Sequence, residues 1–156
     1  MKTYDQMIAD ALTRVKEIMP WDLAKRLEGE TGAAPLLLDV REPAEFNALH
    51  IPGSINVPRG ILEQATEWEY DETVPQLVTG REREIVLICR SGKRSILAAD
   101  VMRQLGFVKV MSLRLGIRGW NDAELTLEDG SGTAIDADTG DELLAPRLSM
   151  EQRKPR

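Results

Sequence analysis

The stretch "EIVLICRSGKRSILAADVMRQLG", residues 84–106, decides the fold of this chain. It opens with an apolar run that is typical of a strand buried on both faces of a parallel sheet. A basic loop with one glycine follows, and apolar residues then recur at helical spacing until Gly106 ends the pattern. This order predicts a strand whose carboxyl end faces the N-terminus of a helix, which is where open parallel sheets bind their ligands.

Shorter apolar runs of the same character lie on both sides of this stretch. They are "PLLLDV" (35–40), "SINVP" (54–58) and "VKVMS" (108–112), and helical patterns lie between them at 42–49 and 60–80. Strands that alternate with helices predict an α/β domain with a mostly parallel sheet.

The two ends of the chain differ from this central pattern. Residues 4–19 have apolar residues at helical spacing, although Pro20 disfavours helical geometry in the last turn. We therefore expect a helix over residues 3–16, packed on a domain that covers residues 1–122. Eight acidic residues and no Lys or Arg lie between residues 121 and 146. Residues 123–156 are expected to form an acidic, mobile tail, in which "ELLAPRL" (142–148) is the part suited to dock back.

Composition limits the functions that the chain can have. With 156 residues, 42% hydrophobic and 29% charged, it fits one soluble globular domain. A single cysteine forms no internal disulfide, and neither a signal peptide nor an apolar membrane span is recognisable. We expect a cytoplasmic protein that binds no membrane. Residues 1–120 hold 16 basic and 17 acidic residues, so we expect no basic face for nucleic acid.

The only cysteine, Cys89, lies at the end of the central apolar run and is followed by three cationic residues within five positions. A lone cysteine in such a place is most often a small buried hydrophobic residue. Here, however, Gly92 lets the backbone N–H groups of the loop converge, and the helix N-terminus favours negative charge. The loop is therefore predicted to hold a thiolate or a small anion. The predicted anion-binding residues are Arg90, Ser91, Gly92, Lys93, Arg94 and Ser95. Ser95 is alternatively only the cap of the following helix.

The loop "CRSGKRS" (89–95) resembles the active-site loop of the rhodanese-family sulfurtransferases, commonly C-R-x-G-x-R-[ST]. Three more stretches resemble family signatures and occur in the family's order: "LLLDVREPAEF" (36–46), "HIPGSINVP" (50–58) and "LGIRGWND" (115–122). Together the resemblance covers roughly residues 16 to 122 and is similar to a single-domain member.

This resemblance implies a five-stranded, mostly parallel sheet with helices on both faces, and a two-step sulfur transfer. Cys89 would take the outer sulfur of a small anionic donor such as thiosulfate, or of a persulfide donor, and hold it as a persulfide. A thiol, a sulfur-carrier protein or cyanide would then accept that sulfur. No cofactor is implied, and one cysteine and one histidine far apart in sequence give no metal site.

Residues outside the loop are interpreted mainly as structural. Asp39 and Arg41 match a family signature, and we interpret them as supports of the site. Arg41 and Glu45 have i, i+4 spacing, which predicts a local ion pair. His50, the only histidine, lies in "HIPG", which forms a turn in the family, and a pre-formed thiolate needs no general base. Trp120 is expected in the core.

Four other functions compete with sulfur transfer from thiosulfate. An interaction module commonly lacks the cysteine, whereas a persulfide relay between protein partners would keep it. Phosphatases of the cell-cycle type use the related loop C-x5-R, but Ser95 occupies that arginine position. A redox-sensing or arsenate-reducing thiol normally needs a resolving cysteine, which the sequence lacks.

Two positions depart from the family pattern. Leu49 stands where a glycine usually precedes the histidine, and Leu115 replaces the first of two glycines before the tryptophan segment. These changes leave the substrate preference open.

Overall fold

The computed structural model describes residues 1–29 and 34–156, and a five-stranded parallel sheet forms its centre. The strands are β1 (Lys16–Ile18), β2 (Leu36–Asp39), β3 (Ile55–Asn56), β4 (Ile85–Ile88) and β5 (Val110–Leu113), in the spatial order β1-β5-β4-β2-β3. Every neighbouring pair is parallel. The predicted α/β class and parallel sheet are confirmed, and β4, which precedes the cysteine loop, is the central strand.

Helices cover both faces of this sheet. They are α1 (Tyr4–Ala11), α2 (Pro20–Glu28), α3 (Pro43–Ala48), α4 (Leu62–Ala65), α5 (Pro75–Val78), α6 (Lys93–Gln104), α7 (Gly116–Asp122) and α8 (Ala137–Leu144), with short 3₁₀ helices at Arg59–Ile61 and Met150–Gln152. Alternate strand residues point to opposite faces, so Leu38 joins the core under α4, α5 and α6, whereas Leu37 joins the core under α2, α7 and α8. This two-sided burial explains the continuous apolar runs of the sequence.

The N-terminal helix is shorter than the sequence predicts. It ends at Ala11, and Lys16–Ile18 forms β1, which pairs in parallel with Met111–Leu113 of β5. The hydroxyl of Thr13 donates to the Asp10 carbonyl over 2.7 Å, which offers the backbone a turn in place of further helix. The apolar spacing of this segment fits both a helix and a strand, and pairing with β5 decides between them.

The segment after residue 123 contains regular structure that the sequence analysis did not predict. Leu127–Glu128 (β6) and Ala134–Ile135 (β7) form an antiparallel pair, and α8 follows. Asp136 begins this helix, because its side chain accepts a hydrogen bond from the Thr139 N–H over 2.7 Å. Leu144, within the stretch expected to dock back, is buried in the core under α7.

The helical pattern at 60–80 is divided in the structure. Its apolar residues Leu62 and Leu77 are buried, but they belong to two separate helices, α4 and α5, with a series of turns between them, and Pro75 begins the second. Over the residues described here, no helix has both the length and the apolar character to cross a membrane.

Candidate active site

Cys89 follows β4 directly and has only 1% of its surface exposed. Its Sγ accepts a hydrogen bond from the backbone N–H of Gly92 over 3.1 Å and lies 3.3 Å from the hydroxyl oxygen of Ser95. The loop therefore curls around the sulfur at the carboxyl edge of the sheet. The helix α6 begins at Lys93, directly after Gly92, so the positive end of its dipole lies beside the loop.

Two properties of the loop require glycine at position 92. Its φ of +93° lies in the left-handed region, where a side chain is strained. A Cβ there would also lie 3.1 Å from the backbone nitrogen of Leu115 and 3.3 Å from the carbonyl oxygen of Leu113. Gly92 therefore allows the sharp turn that directs its own N–H to the sulfur.

Ser95 connects the sulfur to a second hydroxyl that the sequence analysis missed. Its Oγ lies 2.7 Å from the Oγ of Ser112 on β5, and both serines are fully buried. Gly92 is the N-cap of α6, so the alternative that Ser95 caps this helix is wrong. A serine at the end of the apolar run "VKVMS" was the available signal for Ser112.

Arg94 is joined to α3 through a two-point salt bridge. Its two terminal nitrogens donate to the two carboxylate oxygens of Glu45, each over 2.8 Å. These hydrogen bonds lower the pKa of Glu45 and raise the pKa of Arg94, and negative charge on Cys89 raises the Arg94 pKa further. The predicted salt bridge between Arg41 and Glu45 is wrong, because Glu45 pairs with Arg94.

The other two loop cations also have partners. Lys93 Nζ lies 2.7 Å from a carboxylate oxygen of Asp5 and 5.6 Å from the ring centre of Tyr4, both in the region of α1. The hydrogen bond to Asp5 raises the pKa of Lys93. Arg90 Nε donates to the Leu144 carbonyl at the end of α8 over 3.0 Å. The loop is thus connected to the N-terminal and the C-terminal helices at once. Ser91, at the tip of the loop, is exposed.

Asp39 and Arg41 form a buried ion pair beside the site, with 0% and 1% of each residue exposed. Arg41 Nη2 donates to an Asp39 carboxylate oxygen over 2.8 Å and to the Leu49 carbonyl over 2.7 Å. Arg41 Nη1 reaches the carbonyl of Glu45 at 3.4 Å. The pair fixes α3 against the end of β2, and α3 in turn carries the carboxylate that holds Arg94.

His50 and Trp120 have structural partners. The two ring nitrogens of His50 lie 2.8 Å from the Phe46 carbonyl oxygen and 3.2 Å from a carboxylate oxygen of Glu128. The His50 ring also stacks on the Phe46 ring with centroids 3.9 Å apart. Trp120 is 4% exposed and donates from its indole nitrogen to the Thr126 carbonyl over 2.9 Å. Both side chains therefore stabilise the fold, and the expected place of Trp120 in the core is confirmed.

The segment that follows β5 forms one wall of the loop. Leu115 has φ +67° and is 47% exposed, and Gly116 has φ +60°. The N–H of Ile117 donates to the Cys89 carbonyl over 2.9 Å, and the N–H of Arg118 donates to the Arg90 carbonyl over 3.0 Å. These bonds join α7 to the backbone of the cysteine loop. The other departure from the family pattern, Leu49, is buried at the end of α3.

A groove of about 470 Å³ lies beside the loop, between α3 and residues 143–147, and Arg90 is part of its wall. The structure contains no cluster of three or more His, Cys, Asp or Glu side chains suited to a metal ion in residues 1–29 and 34–156.

The fold and the loop define a class of α/β domains in which a buried cysteine lies in a tight loop between the central strand and a helix. The sequence model of the Rhodanese-like domain family matches residues 20–123, and this chain belongs to that family. The match begins at α2, so α1 and β1 precede it.

The relatives include proteins that are named sulfurtransferases. The chain is 31% identical over 106 residues to a sulfurtransferase of Allochromatium vinosum, and the match covers 68% of this chain and 88% of the relative. It is 35% identical over 88 residues to the thiosulfate:glutathione sulfurtransferase of Saccharomyces cerevisiae, covering 53% and 62% of the two chains. The chain spans 88% of the Allochromatium protein but only 18% of a longer relative from Drosophila persimilis, an adenylyltransferase and sulfurtransferase.

Solved structures have the same fold. The human single-domain sulfurtransferase TSTD1 has a TM-score of 0.60 and 28% identity, over 70% of this chain and 98% of that one. A protein from Rhodopseudomonas palustris, described as of unknown function and as a possible tyrosine phosphatase, has a TM-score of 0.72 and 25% identity. That similarity covers 82% of this chain and 96% of the other.

Proposed function

We propose that this chain is a sulfurtransferase in which Cys89 carries the transferred sulfur as a persulfide. The observation that carries the proposal is the position of its Sγ, 3.1 Å from the Gly92 N–H and beside the N-terminus of α6. Backbone N–H groups and a helix N-terminus stabilise both a thiolate and the anionic end of a persulfide. The similarity to proteins that are named sulfurtransferases supports the same reaction.

In the donor half-reaction, the Cys89 thiolate attacks the outer sulfur of thiosulfate. A bond forms between Sγ and that sulfur, the sulfur–sulfur bond of thiosulfate breaks, and sulfite leaves with the bonding electron pair. The total charge of −3 is the same before and after the step, with one negative charge on the new persulfide. Because Cys89 is 1% exposed, a small donor or one with a narrow terminal sulfur fits best.

The loop cations supply positive charge for the donor and for the leaving sulfite. Arg94 and Lys93 stand at the rim of the loop, although Glu45 and Asp5 each neutralise part of their charge. A donor anion can replace such a partially exposed carboxylate, since exposed ion pairs contribute little stability. Arg90, Ser91, Gly92 and Ser95 complete the proposed anion-binding loop. Asp39 and Arg41 support it through α3.

In the acceptor half-reaction, a nucleophile attacks the terminal sulfur of the persulfide and the Cys89 thiolate leaves. A thiol acceptor becomes a persulfide, and cyanide becomes thiocyanate. The name of the yeast relative supports a low-molecular-weight thiol as one such acceptor, and a sulfur-carrier protein is another. A free cysteine that must stay reduced suits the cytoplasm, which is the compartment that we propose.

Phosphate-ester hydrolysis is the second candidate, because the Rhodopseudomonas neighbour is described as a possible tyrosine phosphatase. The C-x5-R loop of cell-cycle phosphatases needs an arginine where this chain has Ser95. Ser95 is fully buried and lies 3.3 Å from the sulfur, so an uncharged hydroxyl occupies the place of that arginine. These contacts favour sulfur transfer over phosphate-ester hydrolysis.

Steady-state kinetics test the proposal. Initial rates of thiocyanate formation should give parallel double-reciprocal lines when thiosulfate and cyanide are varied, because the covalent persulfide separates the two half-reactions. Cys89→Ser should abolish the rate while leaving the urea unfolding curve close to wild type. Hydrolysis of p-nitrophenyl phosphate serves as the competing assay, and we expect no Cys89-dependent activity in it.

Incubation with a persulfidated protein as a second donor distinguishes sulfur transfer from thiosulfate from a persulfide relay between proteins. Loading by a persulfidated protein but not by thiosulfate would support the relay and overturn thiosulfate as the donor. Loading by no donor, together with Cys89-dependent release of phosphate, would overturn sulfur transfer itself.

A further inference from the structure

The N-terminal helix α1 lies outside the segment that matches the family, yet it packs on the helix that follows the cysteine loop. Its residues Ile8 and Ala11 are buried against Ile96 of α6, where they form a separate small core. A capping box of Thr3 and Gln6 fixes the start of the helix. The first turn of α1 is therefore held in a defined place.

Two ion pairs set the direction of α1. Asp5 in its first turn pairs with Lys93 at the start of α6 over 2.7 Å, and Arg14 just after its end pairs with Asp100 over 2.8 Å. The two helices therefore run side by side in the same direction. Because α6 begins at the carboxyl edge of the sheet, the N-terminus of α1 lies at that edge too, next to the cysteine loop.

Tyr4 is the first residue of α1 and lies at this edge. Lys93 Nζ is 5.6 Å from its ring centre, which is within the range of a cation–π contact. The side chain is about half exposed, and within the described part of the chain its hydroxyl has no hydrogen-bond partner. Burial raises the pKa of Tyr4, negative charge on Cys89 raises it further, and the charge of Arg94 lowers it. The phenol thus lies within the electrostatic influence of both the sulfur and the cations around it.

We propose that Tyr4 belongs to the donor site and that its hydroxyl donates a hydrogen bond to an oxyanion of the sulfur donor. This inference rests on the proposed function and assigns a substrate-binding role to a helix outside the matched segment. The ligand class is a small sulfur donor with a sulfonate-like group, of which thiosulfate is the simplest. While Cys89 attacks the outer sulfur, the oxygens of the leaving group face Tyr4 and Lys93 at the rim.

The substitution Tyr4→Phe distinguishes the proposed binding role from a purely structural role, which predicts no change in activity. The contact with Lys93 needs only the aromatic ring, so Tyr4→Phe keeps the packing of α1 and removes only the hydroxyl. Tyr70 provides a matched control, since it is the second tyrosine of the chain and is similarly exposed at 51%.

The experiment measures kcat/KM for each half-reaction in wild type, Tyr4→Phe and Tyr70→Phe. We expect Tyr4→Phe to lower kcat/KM for thiosulfate about tenfold, the usual effect of losing one hydrogen bond to a charged group. The kcat/KM for cyanide should stay within about twofold of wild type, and the urea unfolding midpoint should not shift. Tyr70→Phe should change none of the three. Equal values for Tyr4→Phe and wild type would overturn the inference while leaving the sulfurtransferase function intact.

Calorimetry of thiosulfate binding to Cys89→Ser tests the role of Tyr4 in binding without any turnover, and so distinguishes this inference from the proposed function. We expect Tyr4→Phe in that background to weaken binding about tenfold. Weaker binding together with no turnover of thiosulfate in the wild type would refute thiosulfate as the sulfur donor but keep Tyr4 as an anion-binding residue. The absence of both binding and turnover would overturn thiosulfate as the donor and the proposed role of Tyr4 together.

Discussion

Gly116 connects the wall of the site to the cysteine loop, and Gly116→Ala tests this connection. A Cβ at this position would lie 2.5 Å from the carbonyl oxygens of both Cys89 and Arg90. The same two carbonyls accept the N–H groups of Ile117 and Arg118 over 2.9 and 3.0 Å. The added methyl group would therefore push apart the backbone on which the sulfur is positioned.

The expected loss of stability has two parts. The left-handed φ of +60° costs an alanine about 1–2 kcal/mol. Crowding against backbone that cannot rotate away adds about 1–3 kcal/mol, as in overpacked cores. The lower entropy of the unfolded chain offsets about 0.4–1 kcal/mol. We expect Gly116→Ala to reduce the free energy of unfolding by about 2–4 kcal/mol.

Two other glycines distinguish the cost of the positive φ from the cost of crowding. Gly53 also has a positive φ, of +82°, but a Cβ there would have no neighbour within 4 Å. Gly53→Ala should therefore cost about 1 kcal/mol or less, and Gly60→Ala, without positive φ or close neighbours, should be near neutral. Urea unfolding measures all three, and thiocyanate formation should fall only in Gly116→Ala. Equal stability and activity of Gly116→Ala and Gly53→Ala would refute the proposed contact with the loop.

The remaining predictions concern charged groups around the site. Asp39→Asn leaves the buried Arg41 without its counter-charge, and urea unfolding should show a loss of about 3–5 kcal/mol; an unchanged midpoint would contradict the buried pair. Because Arg94 holds the pKa of Glu45 below its usual value, the carboxylate stabilises the fold above that value and less as pH falls through the lowered pKa. The stability difference between wild type and Glu45→Gln should therefore shrink from neutral to acidic pH, and a constant difference in urea unfolding would contradict the pairing. In a Tyr70→Phe background, absorbance titration should place the pKa of Tyr4 above that of a free tyrosine. The further substitution Cys89→Ser should lower this pKa, because it removes the negative charge of the sulfur.

The central architecture could be predicted from the sequence because burial on both faces leaves a clear pattern. The runs that became β2, β4 and β5 are rich in apolar residues, and the cysteine follows the most apolar of them. The place of Cys89 at the end of β4 follows directly from that order. The positive φ and close contacts of Gly92 agree with the sharp turn that the loop sequence indicates.

Other features depend on contacts between distant residues. The strand β1 has three residues, and its apolar spacing also fits a helix, so only pairing with β5 reveals it. The bond between Arg94 and Glu45 joins positions 49 residues apart and leaves no local signal. The helix α8 had one signal that could have been used, because Asp136 precedes it as an N-cap.

The most direct test of the central proposal is the intact mass of the purified protein after incubation with thiosulfate. We expect the wild type to gain one sulfur atom and to lose it on addition of cyanide, with the sulfur released as thiocyanate. Cys89→Ser, folded as judged by urea unfolding, should gain nothing. A wild type that gains no sulfur from thiosulfate or from any persulfide donor, or an equal gain in Cys89→Ser, would contradict the account.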